Sequence, residues 1–427
     1  MPTSQPLASV APIKKIGRFS LGMGDRFGRQ GKAQLQAVVN ARNAGIEVEP
    51  VWNKSNREHT LIGTEPGSVR TEAREAVVAL GWDGAFHVDA DHINLGNVDR
   101  FIEASDFYTI DVADYTGKPA SDDDIEAFVS ENDRYLGALT IPGMAAPLAI
   151  DEALLRATAK KFLWAMQEAG RIYRHIAERK AEPFVTEVSV DETDSPQTPV
   201  ELFLILAMIA GEGIPVQTIA PKFTGRFNKG VDYVGNLAQF EKEFDEDLHV
   251  VAFAIREFGL PATLKLSVHS GSDKFSIYPI INRLVHRHGA GLHVKTAGTT
   301  WLEEVIGLAE SGGAGLGLAK TIYKQAFGYF DELVAPYATV LDIDKGALPS
   351  IDEVEGWTSE QYVAALRHDP ACPGYNPHFR QFIHVSFKIA AKLGTTYLDA
   401  LTENRAIIAR NVTDNLFRRH LLPIFGK

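Results

Sequence analysis

The chain has 427 residues, 45% of them hydrophobic, with 43 Lys and Arg against 55 Asp and Glu, for a formal net charge of -12. That acidity excludes a general nucleic-acid surface, which needs clustered positive charge, but leaves room for a locally basic pocket. Cys372 is the only cysteine, which excludes an intrachain disulfide and a cysteine-cluster metal site and fits a reducing compartment. The start, MPTSQPLASVAPIKK, has no apolar core of about 7–15 residues and does not read as a signal peptide. No stretch approaches the ~20 apolar residues that span a bilayer. A soluble cytoplasmic enzyme is expected, with no membrane or nucleic-acid partner, and with a homo-oligomer left open.

In chain order, short β-branched or aromatic runs alternate with helical segments. RFSLGMGDRFG at 18–28 precedes a helix beginning KAQLQAVVNARNAG, and IEVEPVWNKS at 46–55 precedes a helix near 68–80. GAFHVDADHINL at 84–95 leads to a helix near 95–104, and DFYTIDVADY at 106–115 to one from about 122. The segment from about 150 to 180 reads as a long amphipathic helix packed outside the strands. PFVTEVSVDET at 183–193 is followed by a helix from about 197, and IPVQTIAPKF at 214–223 by one near 238–257. ATLKLSVHSG at 262–271 precedes a helix near 274–287, and AGLHVKTAG at 290–298 one near 300–311.

Eight strand-then-helix units predict a (β/α)8 TIM-type barrel over 15–315, after an N-terminal arm at 1–14. A helical C-terminal extension at 316–427, broken near 346–350 and at DPACPGYNPH, is expected to pack on the barrel. It would either cover one barrel end or make an oligomer contact. A doubly wound sheet is the alternative. The barrel is favoured because polar residues gather at the C-terminal ends of nearly every strand. A barrel brings those ends to one rim, whereas an open sheet spreads them along an edge. GMGDRFG lacks the G-x-G-x-x-G spacing of a dinucleotide fold.

Residues two apart in a strand share a face. His87, Asp89 and Asp91 therefore point one way, with His92 at the strand exit. Carboxylates inside a barrel need cations, donors or a metal, so Asp89 is open to a structural salt bridge, while Asp91 and His92 at the rim are read as functional. Lys265, Ser267 and His269 share a face, and the N–H groups of Ser270 to Lys274 at the next helix start are expected to suit an anion. His293 and Lys295 share a face of the eighth strand. Glu187, Ser189 and Asp191 share a face of the fifth, with Glu192 at its exit; one carboxylate is available to a metal and another to acid–base chemistry. Thr193 or Asp194 is open to a plain capping role.

Arg26, Lys54, Arg57, Lys222, Arg226, Lys274 and Lys295 all follow or end predicted strands, a positive collar suited to a carboxylate or phosphate. Imidazoles and carboxylates from separate strands suit one divalent cation such as Zn, Mn, Ni or Co.

GMGDRFGRQGKAQLQA, PVWNKSNREHTLIGTEP, HVDADHINL, DFYTIDVADY and VHSGSDKFSIYP together resemble the tagaturonate epimerase family, along the whole barrel. The resemblance implies an isomerase of hexuronate catabolism that interconverts D-tagaturonate and D-fructuronate with a divalent metal. It also echoes class II aldolases, which pair an Asp with a metal-binding His at a strand end, as Asp91–His92 does, and carry a His before a small-residue loop, as His269 does. Those enzymes offer a further His between these two, which VQTIAPKF lacks. The third ligand is therefore open among Glu187, Gln217 and His293.

The site so implied has His92, His269 and His293 on the metal and Asp91, Glu192 and Glu187 in acid–base roles. Arg26, Lys54, Arg57, Lys222, Ser270, Lys274 and Lys295 would hold the sugar acid. The two ketouronates differ at the carbon β to the ketone, where the carbonyl does not acidify the C–H. Retro-aldol cleavage with re-addition and two-base proton exchange are the routes left open. A class II-type aldolase or another uronate isomerase is the rival reading, and a non-catalytic sugar-binding barrel is the reading from another class.

Overall fold

The computed structural model describes residues 14–296 and 298–427, so the N-terminal arm expected at 1–14 lies outside the described residues except for Lys14. Eight parallel strands close into a barrel. In chain order they are β1 (Phe19–Gly24), β2 (Glu49–Ser55), β3 (His87–Ile93), β4 (Phe107–Asp111), β7 (Val185–Ser189), β8 (Thr218–Ala220), β9 (Lys265–Val268) and β10 (Leu292–Thr296). β1 pairs with β10 to complete the ring, and β4 pairs directly with β7. Between those two the chain inserts a small antiparallel hairpin, β5 (Gly137–Leu139) with β6 (Leu148–Ile150), which no periodicity announces in three-residue strands.

The helices follow the strands as expected in most units. α1 (Gly31–Asn43) follows β1, and α2 (Asn56–Ile62) and α3 (Gly67–Leu80) follow β2. α4 (Asp122–Glu131) and the long α5 (Glu152–Arg179) follow β4. α6 (Pro199–Gly211), α7 (Leu237–Phe258), α8 (Tyr278–His288) and α9 (Thr299–Glu310) follow β7, β8, β9 and β10. The helix expected near 95–104 is not formed; a single 3-10 turn, Val98–Arg100, replaces it. Asn94 Oδ1 accepts from Gly96 N at 2.9 Å and Asn97 Oδ1 from Asn94 N at 3.0 Å. These local bonds compete with a helical ladder.

α8 begins at Tyr278, later than expected, because Asp273 sits in the left-handed region (φ 60) and interrupts the turn before it. α2 was unforeseen, yet Ser55 and Glu58 form a capping box at its start.

Beyond α9 the chain stays helical: α10 (Gly313–Phe327), α11 (Phe330–Val334), α12 (Ile351–Gly356), α13 (Ser359–Leu366), α14 (Pro377–Val385), α15 (Phe387–Leu393), α16 (Thr395–Glu403), α17 (Arg405–Asp414) and α18 (Leu422–Phe425). α17 packs on α1 and α9, and Thr413 donates to the Ala33 carbonyl at 2.9 Å. α18 packs on α8, where Asn282 donates to the carbonyls of Ile424 and Gly426, and the Phe425 ring lies 4.9 Å from Phe19. These segments lie over the junction of the first and last barrel strands.

The outward strand faces (Leu21, Met23, Trp52, Val88, Ile110, Val188, Ile219, Leu266, Val294) join the helices in one large apolar core. The inward faces are mostly polar, which is the feature that builds the site.

Candidate active site

The barrel interior can be followed from base to mouth. At the base, Ile16, Val51, Phe107 and Val185 form a small apolar plug. Beside it, His87 bonds Glu49 at 3.1 Å, and Lys265 donates to the Gly17 carbonyl at 2.6 Å. Gln217 is also basal, donating to the Lys14 carbonyl at 2.8 Å, which removes it as a ligand candidate.

One layer up sits His293, fully buried, with Nδ1 2.8 Å from Ser20 Oγ and its ring 5.3 Å from Phe107. Burial takes its pKa down to about 3, so the imidazole is neutral. His293 does share the inward face with Lys295 but stands below the mouth, outside the group of side chains that could share an ion there. The expectation that it completes a His92–His269 metal set is therefore corrected.

The next layer is an ion cluster around Lys295. Its ammonium lies 2.7 Å from Asp89, 2.6 Å from Asp91, 3.3 Å from Glu187 and 2.6 Å from Thr109 Oγ1. Gly22 makes room for it: a Cβ there would come within 3.1 Å of Lys295 Cγ and 3.0 Å of Asn53 Nδ2. Burial disfavours the Lys295 charge, but Asp89, Asp91 and Glu187 outweigh it and hold the pKa well above the ordinary value. Burial likewise opposes the Asp91 charge, yet Lys295 and His92 bring its pKa down to about 2. Burial raises the Asp89 pKa to about 7 despite Lys295, which Asp91 and Glu187 share.

At the mouth, His92 Nδ1 lies 3.0 Å from Asp111 Oδ2, and Asp111 in turn accepts from Ala113 N. His269 Nδ1 lies 3.0 Å from Asp191 Oδ1, and its Nε2 lies 2.8 Å from Glu187 Oε1. Ser189 Oγ donates to the same Asp191 carboxylate. The rings of His92 and His269 approach edge to face at 5.2 Å. His92, Asp191 and His269 each offer a ligand atom within 4.8 Å of the others.

Burial opposes the charged imidazoles. Even so, Asp91, Asp111 and Asp191 raise His92 to about 10, and Asp191 with Glu187 raises His269 to about 9. The surrounding carboxylates thus favour a positive charge at this spot. His92 (φ 52) and Ser270 (φ 49) both hold left-handed backbone conformations, which non-glycine residues adopt mainly where local structure enforces them.

Above these groups lies a cavity of about 280 Å3, adjoining a second of about 480 Å3. Together they have the size of a small-molecule site. Of the residues singled out from the sequence, Arg26, Arg57, Asp91, His92, Glu192, His269, Ser270 and Lys295 line the first. Lys222 lines the second, with its ammonium donating to the Thr193 carbonyl.

Four expected site residues are not brought to these cavities. Glu187 is fully buried beneath His269 and Lys295, so it orients them rather than meeting a ligand. His293 is a layer too deep. Lys54 donates to the Arg26 carbonyl at 2.6 Å. Lys274 is buried and donates to the carbonyls of Asn228, Val231 and Ser272. The expected anion cradle at 270–274 is also corrected, because Gly271, Asp273 and Lys274 N–H groups already bond Lys295 O, His420 Nε2 and Tyr278 Oη.

The sequence reading missed Asn53, Asn97, Lys229 and Tyr337, which line the first cavity, and Asp111 behind His92. Lys229 lies in the same segment after β8 as Lys222 and could have been counted with it; nothing in the local pattern marks Tyr337. Asp191 was placed on the right face but not assigned to the ion. A second group, Asp245, His249 and His288, lies on α7 and α8, where Arg287 already pairs with Asp245.

A family model described as tagaturonate epimerase matches residues 4–416. A tagaturonate/fructuronate epimerase of Thermotoga maritima is 29% identical over 422 residues, covering 95% of this chain and 79% of the relative. A glycerol-bound crystal structure of the fructuronate-tagaturonate epimerase from Cohnella laeviribosi superposes with a TM-score of 0.80 at 23% identity, covering 98% of this chain and 83% of that one. The native crystal structure of the same enzyme gives 0.77 at 23% identity, with the same coverage. At that identity the structural likeness speaks for the fold.

Proposed function

This chain belongs to the tagaturonate epimerase family, and we propose that it interconverts D-tagaturonate and D-fructuronate with one divalent cation held by His92, Asp191 and His269. The observation that carries the reading is this trio, from three different strand ends, at a cavity that is also lined by further carboxylates and by cations. The residues fit such an ion. Two imidazoles and a carboxylate are donors for Zn, Mn, Ni or Co, Asp111 orients the His92 ring as a supporting carboxylate does, and the local charge favours a cation. When bound there, the cation supplies Lewis-acid stabilisation of negative charge developing on a substrate oxygen.

The chain's own groups then account for the proton and the inversion. Asp91, ionised and braced by Lys295, lines the cavity together with Glu192. In the route we favour, one of these carboxylates takes the C4 hydroxyl proton as the C3–C4 bond breaks. The bond's electron pair passes into the C2–C3 enediolate. The aldehyde fragment turns its other face, the bond re-forms, and the proton returns to O4. Nothing is oxidised or lost.

Lys295 keeps Asp91 charged and aimed. Glu187 holds His269 from below. The second cavity leaves room for the fragment to turn while still enclosed. No described helix is long and apolar enough to cross a membrane.

The test is incubation of the purified chain with D-tagaturonate in D2O, with and without chelator, followed by NMR. D-fructuronate should appear with C4–H unexchanged, and chelator should abolish it. Deuterium at C4 would establish two-base exchange in place of cleavage, free three-carbon products would establish an aldolase, and no conversion with any of the four metals would overturn the enzymatic reading.

A further inference from the structure

We propose that Arg57 and Lys229 form the subsite for the substrate's carboxylate, so that they select a sugar acid over the neutral ketose of the same configuration. This rests on the epimerase reading above. The two cavities are lined by several cations, and most of these are already engaged. Arg26 pairs with Glu58 at 3.1 Å, donates to the His384 carbonyl at 2.9 Å, and stacks on Phe387 at 3.7 Å. Lys222 donates to the Thr193 carbonyl. Arg226 pairs with Asp342 at 3.2 Å. Lys295 is held by three carboxylates.

Arg57 and Lys229 differ from these. Among the described residues neither forms an ion pair within 4.0 Å. Lys229 Nζ contacts Ser270 Oγ at 3.4 Å, and the Arg57 guanidinium lies 5.1 Å from the centre of the Tyr337 ring. Both side chains line both cavities, so they stand where the two meet. Their mutual repulsion is felt: burial lowers the Lys229 pKa, as do the charges of Arg26 and Arg57, against the pull of Glu192 and Asp191. A bound carboxylate would relieve that repulsion and satisfy both donors.

The subsite is also braced. Lys229 N donates to the Val340 carbonyl at 2.9 Å, which ties its loop to the segment bearing Tyr337, and the next residue, Gly230, offers its carbonyl to Arg380 Nε. With the sugar acid's carboxylate there, its carbonyl end lies toward His92, Asp191 and His269. The recognition end is thus assigned to the segments after β2 and β8, and the reacting end to those closing β3, β7 and β9.

The test compares KM for D-tagaturonate with competitive inhibition by D-tagatose, the analogue that carries CH2OH in place of the carboxylate, in the metal-loaded full chain. In the wild type, D-tagatose should compete at least about tenfold more weakly than D-tagaturonate binds. Lys229→Met and Arg57→Met should each raise KM for D-tagaturonate about tenfold to a hundredfold, the cost of one charge-assisted bond. Inhibition by D-tagatose should change less than about threefold, and Lys229→Arg should restore most of the KM. Wild-type enzyme that accepts both sugars equally, or variants that weaken both equally or neither, would overturn the inference while leaving the epimerase reading intact. A wild-type chain that converts neither epimer removes that reading and this inference with it.

Discussion

Replacing Arg380 with Met should destabilise the protein by about 3–5 kcal/mol at pH 7, the cost of leaving one partner of a buried ion pair alone. Arg380 and Asp273 are both fully buried, and Arg380 Nη2 lies 3.0 Å from Asp273 Oδ2. The same guanidinium donates to the carbonyls of Leu366 and Gly230. Met fills much of the stem's volume but leaves those acceptors and the carboxylate unanswered. Burial raises the Asp273 pKa, and Arg380, with His368 and His420, reverses this and holds it well below the usual range.

The sign for pH follows from that. In the wild type, the stabilisation from Asp273 is present above the unfolded carboxylate pKa of about 3.9 and is lost only as pH falls through the lower folded value. In the variant, burial acts with little to oppose it, so the carboxylate protonates more readily and the deficit should shrink as pH drops from 7 toward 4. Urea unfolding followed by circular dichroism at both pH values measures this. Asp273→Asn placed in the Arg380→Met background should recover part of the loss, because the orphaned charge is then gone. A deficit under about 1 kcal/mol, or one unchanged between the two pH values, would refute the reasoning.

His92→Ala and His269→Ala should each lose bound divalent metal and turnover together, as read by metal analysis beside the NMR assay; a variant that keeps its ion would not be a ligand mutant. Asp91→Asn should keep the metal and the fold while turnover falls about 10²–10⁴-fold, the range for a lost proton-transfer group, and near-normal turnover would remove Asp91 from the mechanism. Asp247, buried on α7 with Oδ1 unpartnered, has a pKa raised by burial and by Glu243 and Glu246. Its raised folded pKa means stability is lost as pH climbs above the unfolded value, so Asp247→Asn should stabilise by about 1–3 kcal/mol at pH 8 and by less at pH 4. Gly271→Ala would put a Cβ 2.6 Å from Val294 Cγ1 and 3.1 Å from the Val268 carbonyl, so the loop carrying His269 must shift; metal affinity should fall measurably by titration calorimetry.

The eight units were legible because each strand is a short apolar run bounded by polar turns, a pattern that survives without tertiary information. The exception, the third unit, failed where Asn94, Gly96 and Asn97 turn the chain on their own side chains. At the site, alternation told which face each residue takes but not its height in the barrel. His293 and Lys295 share a face, as expected, yet only Lys295 reaches the cavity, because strand stagger sets the layer and no single strand records it. Flexible cations were the least legible. Lys54 ends a strand and Lys274 follows one, as Arg57 does, but their ammonium groups turn toward nearby carbonyls. Tyr337 was out of reach because it arrives from a helical segment whose docking depends on the whole surface. Asp191 is instructive: its face was read correctly, but the third ligand was left open among Glu187, Gln217 and His293, and only the folded arrangement sets Asp191 beside His92 and His269.

The helices laid over the meeting of β1 and β10 bear on how the chain acquires its shape during synthesis. Joining the first strand to the last is the most non-local step in closing such a ring, and loops that long make assembly slow. Here the cover for that seam comes later still: Thr413 bonds a carbonyl 380 positions earlier, at Ala33. A nascent chain emerging from the ribosome would therefore carry apolar surface on α1 through most of its translation, and on α8 from its synthesis until α18 follows. Slowing elongation before α17, or withholding chaperones, should penalise yield far more than any change to His92, Asp191 or His269.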